Sequence, residues 1–217
     1  AEVFVAADRG AAGAQRALAA IAADRELSGF VRASAVARLG RALNPEVLSA
    51  ARAALSDTDP LVRSEAVRVL AGADPAVRLQ LLPPLLGDPL REVRMTAARA
   101  LAGEPEARLS PPDRAKLAAA LDEVIAAERF NADRPEHRTN LGGFLAERGD
   151  AVAAEAEFRA ALQLDPRFVP AWANLADRMR LLGRETETEP LLRGGLAGAP
   201  DAAALHHALG LSLVRQQ

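Results

Sequence analysis

The sequence contains the stretch Asp57-Thr58-Asp59-Pro60-Leu61-Val62-Arg63-Ser64-Glu65-Ala66-Val67-Arg68-Val69-Leu70, and parts of it recur once earlier and once later, at equal intervals. Val, Arg, Ala and Leu hold the same positions in three copies: Val31, Arg32, Ala35 and Leu39; Val62, Arg63, Ala66 and Leu70; Val93, Arg94, Ala97 and Leu101. We call the interval from Val31 to Val62, and from Val62 to Val93, the first period. Apolar residues at the spacing within each copy form one stripe of an amphipathic helix. The stretch therefore predicts the same helix three times.

A turn and a second helical pattern precede this helix. Before the central copy they cover Ser56–Pro60 and Val47–Leu55. A hairpin of two helices cannot bury both its faces alone, so consecutive hairpins are expected to stack, each on its neighbours. The first half of the chain is thus predicted to be a stack of helical hairpins.

A second, slightly longer period begins at Leu141 and brings Leu141 into register with Leu175 and Leu209. The matched positions are, unit by unit, Leu141, Gly142, Leu145, Gly149, Ala154, Phe158, Ala161 and Pro166, then Leu175, Ala176, Met179, Gly183, Thr188, Leu192, Gly195 and Pro200. A third copy opens with Leu209, Gly210 and Leu213. The small residues among them let paired helices approach closely, and each proline ends the second helix of its unit.

Two repeat families share these patterns. The first half resembles HEAT repeats, through Asp57-x-Asp59-Pro60-Leu61-Val62-Arg63 and Asp88-Pro89-Leu90-Arg91-Glu92-Val93-Arg94. The second half resembles tetratricopeptide repeats, through Trp172-x-x-Leu175, Ala154-x-x-x-Phe158 and the closing prolines. The resemblances imply an all-α fold, a right-handed α-α superhelix or solenoid of helical hairpins.

The same resemblances divide the chain into three parts. We expect HEAT-like repeats over residues 1–108, a connecting helix over 109–134 and tetratricopeptide repeats over 135–217. The last part would hold two full units and the first helix of a third.

An acidic residue lies six positions before an arginine in each HEAT-like copy: Glu26 and Arg32, Asp57 and Arg63, Asp88 and Arg94. In HEAT-like arrays such residues usually form a ladder of ion pairs along the stack, with the carboxylate near the N-terminus of the second helix. The resemblance therefore implies that these charges hold the fold together rather than bind a ligand.

Composition and charge exclude several classes of function. The 27 basic and 29 acidic residues give a net charge near −2, without a basic cluster that would indicate nucleic-acid binding. The absence of cysteine rules out disulfides, thiolate catalysis and a Cys-x-x-Cys-His haem attachment in this chain. No apolar run reaches the roughly 18 residues that a membrane span needs, so we expect no membrane insertion.

The sequence offers little for catalysis. Its histidines are His137, His206 and His207, and adjacent helical residues point about 100° apart, so His206 and His207 cannot chelate one metal ion together. No serine stands in a nucleophile elbow, and no Gly-rich phosphate loop is present. We predict no catalytic residue, no metal site, no cofactor and no enzymatic activity.

Recognition of a protein or peptide on the concave face of the superhelix is the predicted function. In tetratricopeptide arrays the first helix of each unit lines that face, and the candidate residues here are Thr139, Asn140, Asn174, Asp177, Arg180 and His207. Asn140 and Asn174 are equivalent and resemble an asparagine ladder, in which side-chain amides bind a peptide backbone. The alternative is that each asparagine only bonds a neighbouring helix.

The order of the parts resembles the C-terminal region of bacterial multihaem c-type cytochrome proteins, which carry such repeats behind a haem-bearing part. The residues concerned are Arg129–Glu136, Asn174–Asp177 and Leu205–Leu211. This resemblance implies a periplasmic location; without it, a soluble cytoplasmic protein is expected. The alternative function is an accessory interaction region of a larger exported redox or transferase protein whose catalytic part lies outside this chain.

The ends of the chain carry a further expectation. It begins at Ala1 without an initiator methionine and stops after the first helix of a third unit, so we expect a piece of a longer protein. Leu209 and Leu213 would then keep part of their packing surface uncovered. We therefore expect either self-association through the C-terminal helix or a frayed end.

Overall fold

The computed structural model describes residues 2–11 and 13–215. These residues form thirteen α-helices and two short 3₁₀ segments, and no strand occurs among them, so the predicted all-α fold is confirmed. The chain divides between Val124 and Ile125 into two compact units, each of which is described separately below.

The first unit begins with α1 Glu2–Asp8, α2 Ala14–Ala23, α3 Gly29–Leu39, α4 Pro45–Ala54, α5 Pro60–Ala71, α6 Pro75–Leu81, α7 Arg91–Leu101 and α8 Pro111–Phe130. The 3₁₀ segments are Pro83–Gly87 and Glu106–Arg108. Helix α8 continues across the division at Val124. The second unit then contains α9 Pro135–Glu147, α10 Ala151–Leu164, α11 Val169–Leu181, α12 Glu185–Gly198 and α13 Ala203–Arg215.

The repeated helices begin where the sequence supplies caps. Helix α5 starts at Pro60, directly after Asp59, whose side chain accepts a hydrogen bond of 2.9 Å from the N–H of Leu61. Helix α4 starts in the same way at Pro45, with Asn44 accepting from the N–H of Val47 at 2.9 Å. The third hairpin differs, because Pro83 and Pro84 end α6 early and the chain continues as a 3₁₀ segment.

The helices α3, α5 and α7 lie side by side and form the core of the first unit. The stripe predicted from the first period is confirmed, since Val62, Ala66, Val67 and Leu70 are fully buried. Burial of such side chains contributes about 1.5–3 kcal/mol for each large aliphatic residue. The core is built from alanine, valine and leucine, which allow the helices to approach closely.

The ladder of ion pairs expected from the HEAT resemblance is present, and its rungs run between repeats. Arg32 donates to Asp57 at 2.8 Å (Nη2–Oδ1), and Arg63 donates to both oxygens of Asp88, at 2.7 and 2.9 Å. Arg94 ends the ladder on Glu123 of α8, at 2.6 Å (Nη2–Oε1).

Arg63 and Arg94 also donate hydrogen bonds to the turn that precedes their own helix. Arg63 Nη1 donates to the carbonyl of Asp57 at 2.9 Å, and Arg94 Nη1 donates to the carbonyl of Asp88 at 2.8 Å. Asp57 and Asp88 thus each bind two arginines. The backbone carbonyl of each aspartate accepts from the arginine six positions later, and its side chain binds the arginine of the preceding repeat. Glu26 is exposed, and the acidic partner of Arg32 is Asp57.

Three helices of the second unit, α9, α11 and α13, begin at equal intervals along the sequence, at Pro135, Val169 and Ala203. Its close contacts depend on small residues. A Cβ atom on Gly142 would lie 2.6 Å from the ring of Phe158, and one on Gly195 would lie 2.9 Å from Trp172. Phe158 packs with Leu175 and Met179 in the buried core of this unit.

Candidate functional site

The second unit presents a face made by α9, α11 and α13, which we call the first-helix face. Helix α11 packs on both α9 and α13. The second helices of the hairpins, α10 and α12, make much less contact with each other. The first helices of this unit therefore lie closer to one another than its second helices do.

Two of the predicted residues occupy equivalent exposed positions on this face. Asn140 of α9 and Asn174 of α11 both have exposed side chains. Asn174 also lines a groove of about 120 Å³ between α9 and α11. The lining residues of this groove are Gly143, Ala146, Phe158, Asn174, Asp177, Arg178 and Leu181.

Asp177 and Arg180 form an ion pair within α11. Arg180 donates to Asp177 Oδ1 from Nε at 2.9 Å and from Nη2 at 2.6 Å. Both residues line a second groove of about 90 Å³ between α11 and α13, so Asp177 borders both grooves. A pair that is open to solvent contributes at most about 1 kcal/mol to stability, which leaves both charges available to a ligand.

The remaining two predicted residues differ. His207 is exposed on α13 and lines neither groove. The prediction for Thr139 is wrong, because its side chain is buried, with 6% of the residue exposed. Its hydroxyl finds no hydrogen-bond partner among residues 2–11 and 13–215, so it packs inside the unit instead of facing a ligand.

Sequence reasoning missed Arg178, which lines the groove between α9 and α11. Its Nη1 lies 3.5 Å from the carbonyl of Ala146, and its buried Nε has no partner in the described part of the chain. The sequence carries no signal for this position, because Arg178 looks like any other arginine that follows a predicted surface residue.

Glu185 holds Arg215, one of the residues that line the second groove. Its Oε1 accepts hydrogen bonds from Ser212 at 2.8 Å and from Arg215 at 3.1 Å, which joins the start of α12 to the end of α13. The hydrogen bond from Ser212 lowers the pKa of Glu185 below its ordinary value, in spite of partial burial, and Arg215 lowers it further. The carboxylate is therefore ionised at neutral pH.

No group of three or more histidine, aspartate or glutamate side chains that could hold a metal ion occurs in the described ranges. Nor is any helix of these ranges long and apolar enough to cross a membrane.

Comparison with known families identifies the first unit. A family model described as HEAT repeats matches residues 16–102 and again residues 54–130, and the two matches together take in more than half of the 217 residues. They cover α2 to α8, with the whole ladder from Arg32 to Glu123. No curated protein matches the chain. The resemblance of the first half to HEAT repeats is thereby confirmed.

Proposed function

Because the chain belongs to the HEAT repeat family, whose helical solenoids commonly serve as protein-interaction scaffolds, we propose that it is a non-enzymatic scaffold that binds an extended peptide on the first-helix face. The observation that carries this proposal is the position of Asn140 and Asn174. Both amides are exposed at equivalent points of α9 and α11, and Asn174 borders a groove.

The proposal treats the second unit as tetratricopeptide repeats. The support is the equal spacing of its helix starts and the small residues at its helix contacts. Trp172 stands at the aromatic position of that pattern, and its Nε1 donates to the carbonyl of Pro166 at 2.8 Å. This bond ties the start of α11 to the end of the preceding hairpin.

The two amides would bind the backbone of the peptide. An amide both donates and accepts, so it can pair with a peptide unit without reading its side chain. Each such hydrogen bond contributes about 1 kcal/mol net, and two of them alone cannot give tight binding. The two grooves beside Asp177 supply the additional contact area, and the charges of Asp177 and Arg180 supply selectivity.

Selection from a displayed library of random peptides tests the proposal, with the affinity of a selected peptide measured by calorimetry. Asn140→Ala combined with Asn174→Ala should weaken binding about 30-fold, the equivalent of two hydrogen bonds. The melting temperature should stay within a few degrees because both side chains are exposed. Gln163→Ala, an exposed amide on α10, is the matched control and should leave binding unchanged. Equal affinity of the double variant and the parent chain would disprove the role of the amides.

An accessory role in a larger exported redox or transferase protein, with a periplasmic location, is the alternative proposal. Its support is the order of the parts along the sequence. A haem-attachment motif or a transferase domain in the flanking genomic sequence would favour it, and flanking sequence without either would count against it.

Self-association through α13 is a further part of the proposal. Leu213 and Val214 are 37% and 70% exposed, and Leu211 is 47% exposed. Light scattering should show dimers that Val214→Asp shifts toward monomers. A monomer at all concentrations would count against this contact.

A further inference from the structure

A cavity of about 160 Å³ lies between α2 and α4 of the first unit. Its walls are six alanines, namely Ala19, Ala22 and Ala23 of α2 and Ala50, Ala53 and Ala54 of α4. Its polar end is lined by Arg25 and Asp57. This site is far along the sequence from the first-helix face and does not depend on the proposed peptide binding.

The cavity exists because the alanines recur with the first period of the sequence. Ala19, Ala22 and Ala23 of one repeat correspond to Ala50, Ala53 and Ala54 of the next, so small residues face each other across one helix contact. In the third repeat the same positions hold larger residues: Leu81, Pro84 and Leu85. Facing methyl groups leave space that larger side chains would fill.

Asp57 presents an unused oxygen to this cavity. The residue is only 5% exposed, and its Oδ1 accepts hydrogen bonds from Arg32 and from the N–H of Asp59, each at 2.8 Å. Its Oδ2 lies 3.9 Å from Nε of Arg25, which is beyond hydrogen-bond distance. No hydrogen bond to Oδ2 is formed by the described residues.

The next rung of the ladder, at Asp88, has no carboxylate oxygen without a hydrogen bond. Asp88 uses both of its oxygens, since Oδ2 accepts from Nε of Arg63 at 2.7 Å and Oδ1 accepts from Nη2 at 2.9 Å. Arg32 reaches Asp57 with one nitrogen only. Oδ2 of Asp57 therefore has lone pairs that no hydrogen bond of the described residues uses, and an ionised carboxylate oxygen is a strong acceptor for a charged donor.

The Asp57 carboxylate is the negative group of the cavity, and it lies beside the positive charges of Arg25 and Arg32. Burial raises the pKa of Asp57, but the hydrogen bonds from Arg32 and from the N–H of Asp59, together with the charges of Arg32 and Arg25, outweigh it, and the pKa lies below its ordinary value. The carboxylate is therefore ionised at neutral pH. Helices α2 and α4 end at Ala23 and Ala54, beside the cavity, and the C-terminal end of a helix carries partial negative charge.

We propose that this cavity binds a primary aliphatic ammonium group, with the alkyl chain between the alanines of α2 and α4 and the ammonium donating to Asp57 Oδ2. The volume is close to that of an engineered apolar cavity of about 150 Å³ that holds benzene, and a four-carbon chain fits such a space. The ligand is either a free alkylamine or the lysine side chain of a partner protein, which share this chemistry.

Arg25 controls access to the site. Its side chain is 57% exposed and makes no hydrogen bond with Asp57, so it can move aside at little cost. Its positive charge lies next to the position of the bound ammonium and opposes binding. Removing this charge should therefore strengthen the site.

The test uses the full chain and n-butylammonium chloride as the probe, followed by amide chemical shifts in NMR. We expect saturable shifts of the residues at the ends of α2 and α4. Affinity should fall about fourfold for each methylene removed from the probe, which is the fold-change that burial of one methylene gives. The uncharged n-butanol should bind at least tenfold more weakly. Equal binding of butanol would overturn the proposal.

Variants separate the site from a general effect on folding. Ala50→Leu fills the cavity, replaces no residue of the ladder and should weaken butylammonium binding at least tenfold. Ala20→Leu, an exposed position of α2 outside the cavity, is the matched control and should not change it. Arg25→Ala should strengthen binding severalfold. Undiminished binding by folded Ala50→Leu, or weaker binding by Arg25→Ala, would contradict the assignment.

A last comparison identifies the source of the ammonium. Nα-acetyl-lysine-N-methylamide carries the lysine side chain without free termini. If the chain binds both this compound and butylammonium in separate titrations, the ligand is a lysine side chain of a partner. If it binds butylammonium but not this compound, the ligand is a free amine. Binding of neither would refute the proposal.

Discussion

Arg63 and Asp88 form two parallel hydrogen bonds, Nε–Oδ2 at 2.7 Å and Nη2–Oδ1 at 2.9 Å, across the contact between neighbouring repeats. Both side chains are largely buried, 12% and 4% exposed. The same arginine holds the carbonyl of Asp57 in its own turn. One side chain thus fixes a turn and joins it to the next repeat.

Removal of this arginine should strongly destabilise the first unit. Arg63→Met keeps the aliphatic stem but leaves Asp88 buried without its partner, and we expect a loss of about 3 kcal/mol in the free energy of unfolding. Urea denaturation measures this loss. Arg68→Ala is the control, since Arg68 is 48% exposed and its ion pairs with Glu65 and Glu92 are worth at most about 1 kcal/mol. Similar losses in both variants would contradict the structural role of the ladder.

Acid should weaken the same ladder. Burial raises the pKa of Asp88, but the hydrogen bonds from Arg63 and from the N–H of Leu90 outweigh it, so its pKa in the folded chain is lower than in the unfolded chain. The unfolded pKa is about 3.9, so the stabilisation is complete above roughly pH 5 and is lost as the pH falls through the folded pKa. Urea midpoints between pH 7 and pH 2 measure it. Asp88→Asn should be less stable at pH 7 and lose less stability in acid.

Two adjacent glycines of α9 should respond oppositely to alanine. A Cβ atom on Gly142 would lie 2.6 Å from the ring of Phe158 and 3.1 Å from the carbonyl of Ala154, whereas one on Gly143 has no neighbour within 4 Å. Gly142→Ala should therefore destabilise the second unit by about 1–3 kcal/mol. Gly143→Ala should stabilise it by up to about 1 kcal/mol, because alanine favours the helix. Thermal unfolding checks both, and equal signs would show that the helices pack differently.

The burial of Thr139 predicts that its hydroxyl can be removed without loss. Thr139→Val eliminates a buried oxygen that has no partner among the described residues, and we expect stability to stay the same or rise by about 1 kcal/mol. Affinity for a selected peptide should not change. A loss of peptide binding by this variant would restore Thr139 to the binding face.

Local sequence patterns predicted much of this fold. The two periods indicated which helices are equivalent, and the turn expected at Ser56–Pro60 leads directly into α5. These features depend on residues close together in the sequence. The short α6 follows in the same way from Pro83 and Pro84.

Contacts between repeats were harder to predict. The resemblance implied a ladder along the stack but not which arginine each carboxylate binds, and Asp57 binds Arg32, which lies 25 residues earlier. The register between two stacked hairpins decides this pairing, and the sequence of one hairpin does not contain it. The burial of the Thr139 side chain and the oxygen of Asp57 that accepts no hydrogen bond also depend on how neighbouring hairpins stack, each within its own unit.

The last rung of the ladder affects how this protein can be divided for expression. Arg94 finds its acidic partner at Glu123 of α8, and Leu117, Leu121 and Val124 of that helix are buried. A chain cut at residue 108, the end of the predicted HEAT-like part, would leave this arginine without its acidic partner and would remove the buried side chains of α8. An expression clone of the first unit should therefore extend through α8.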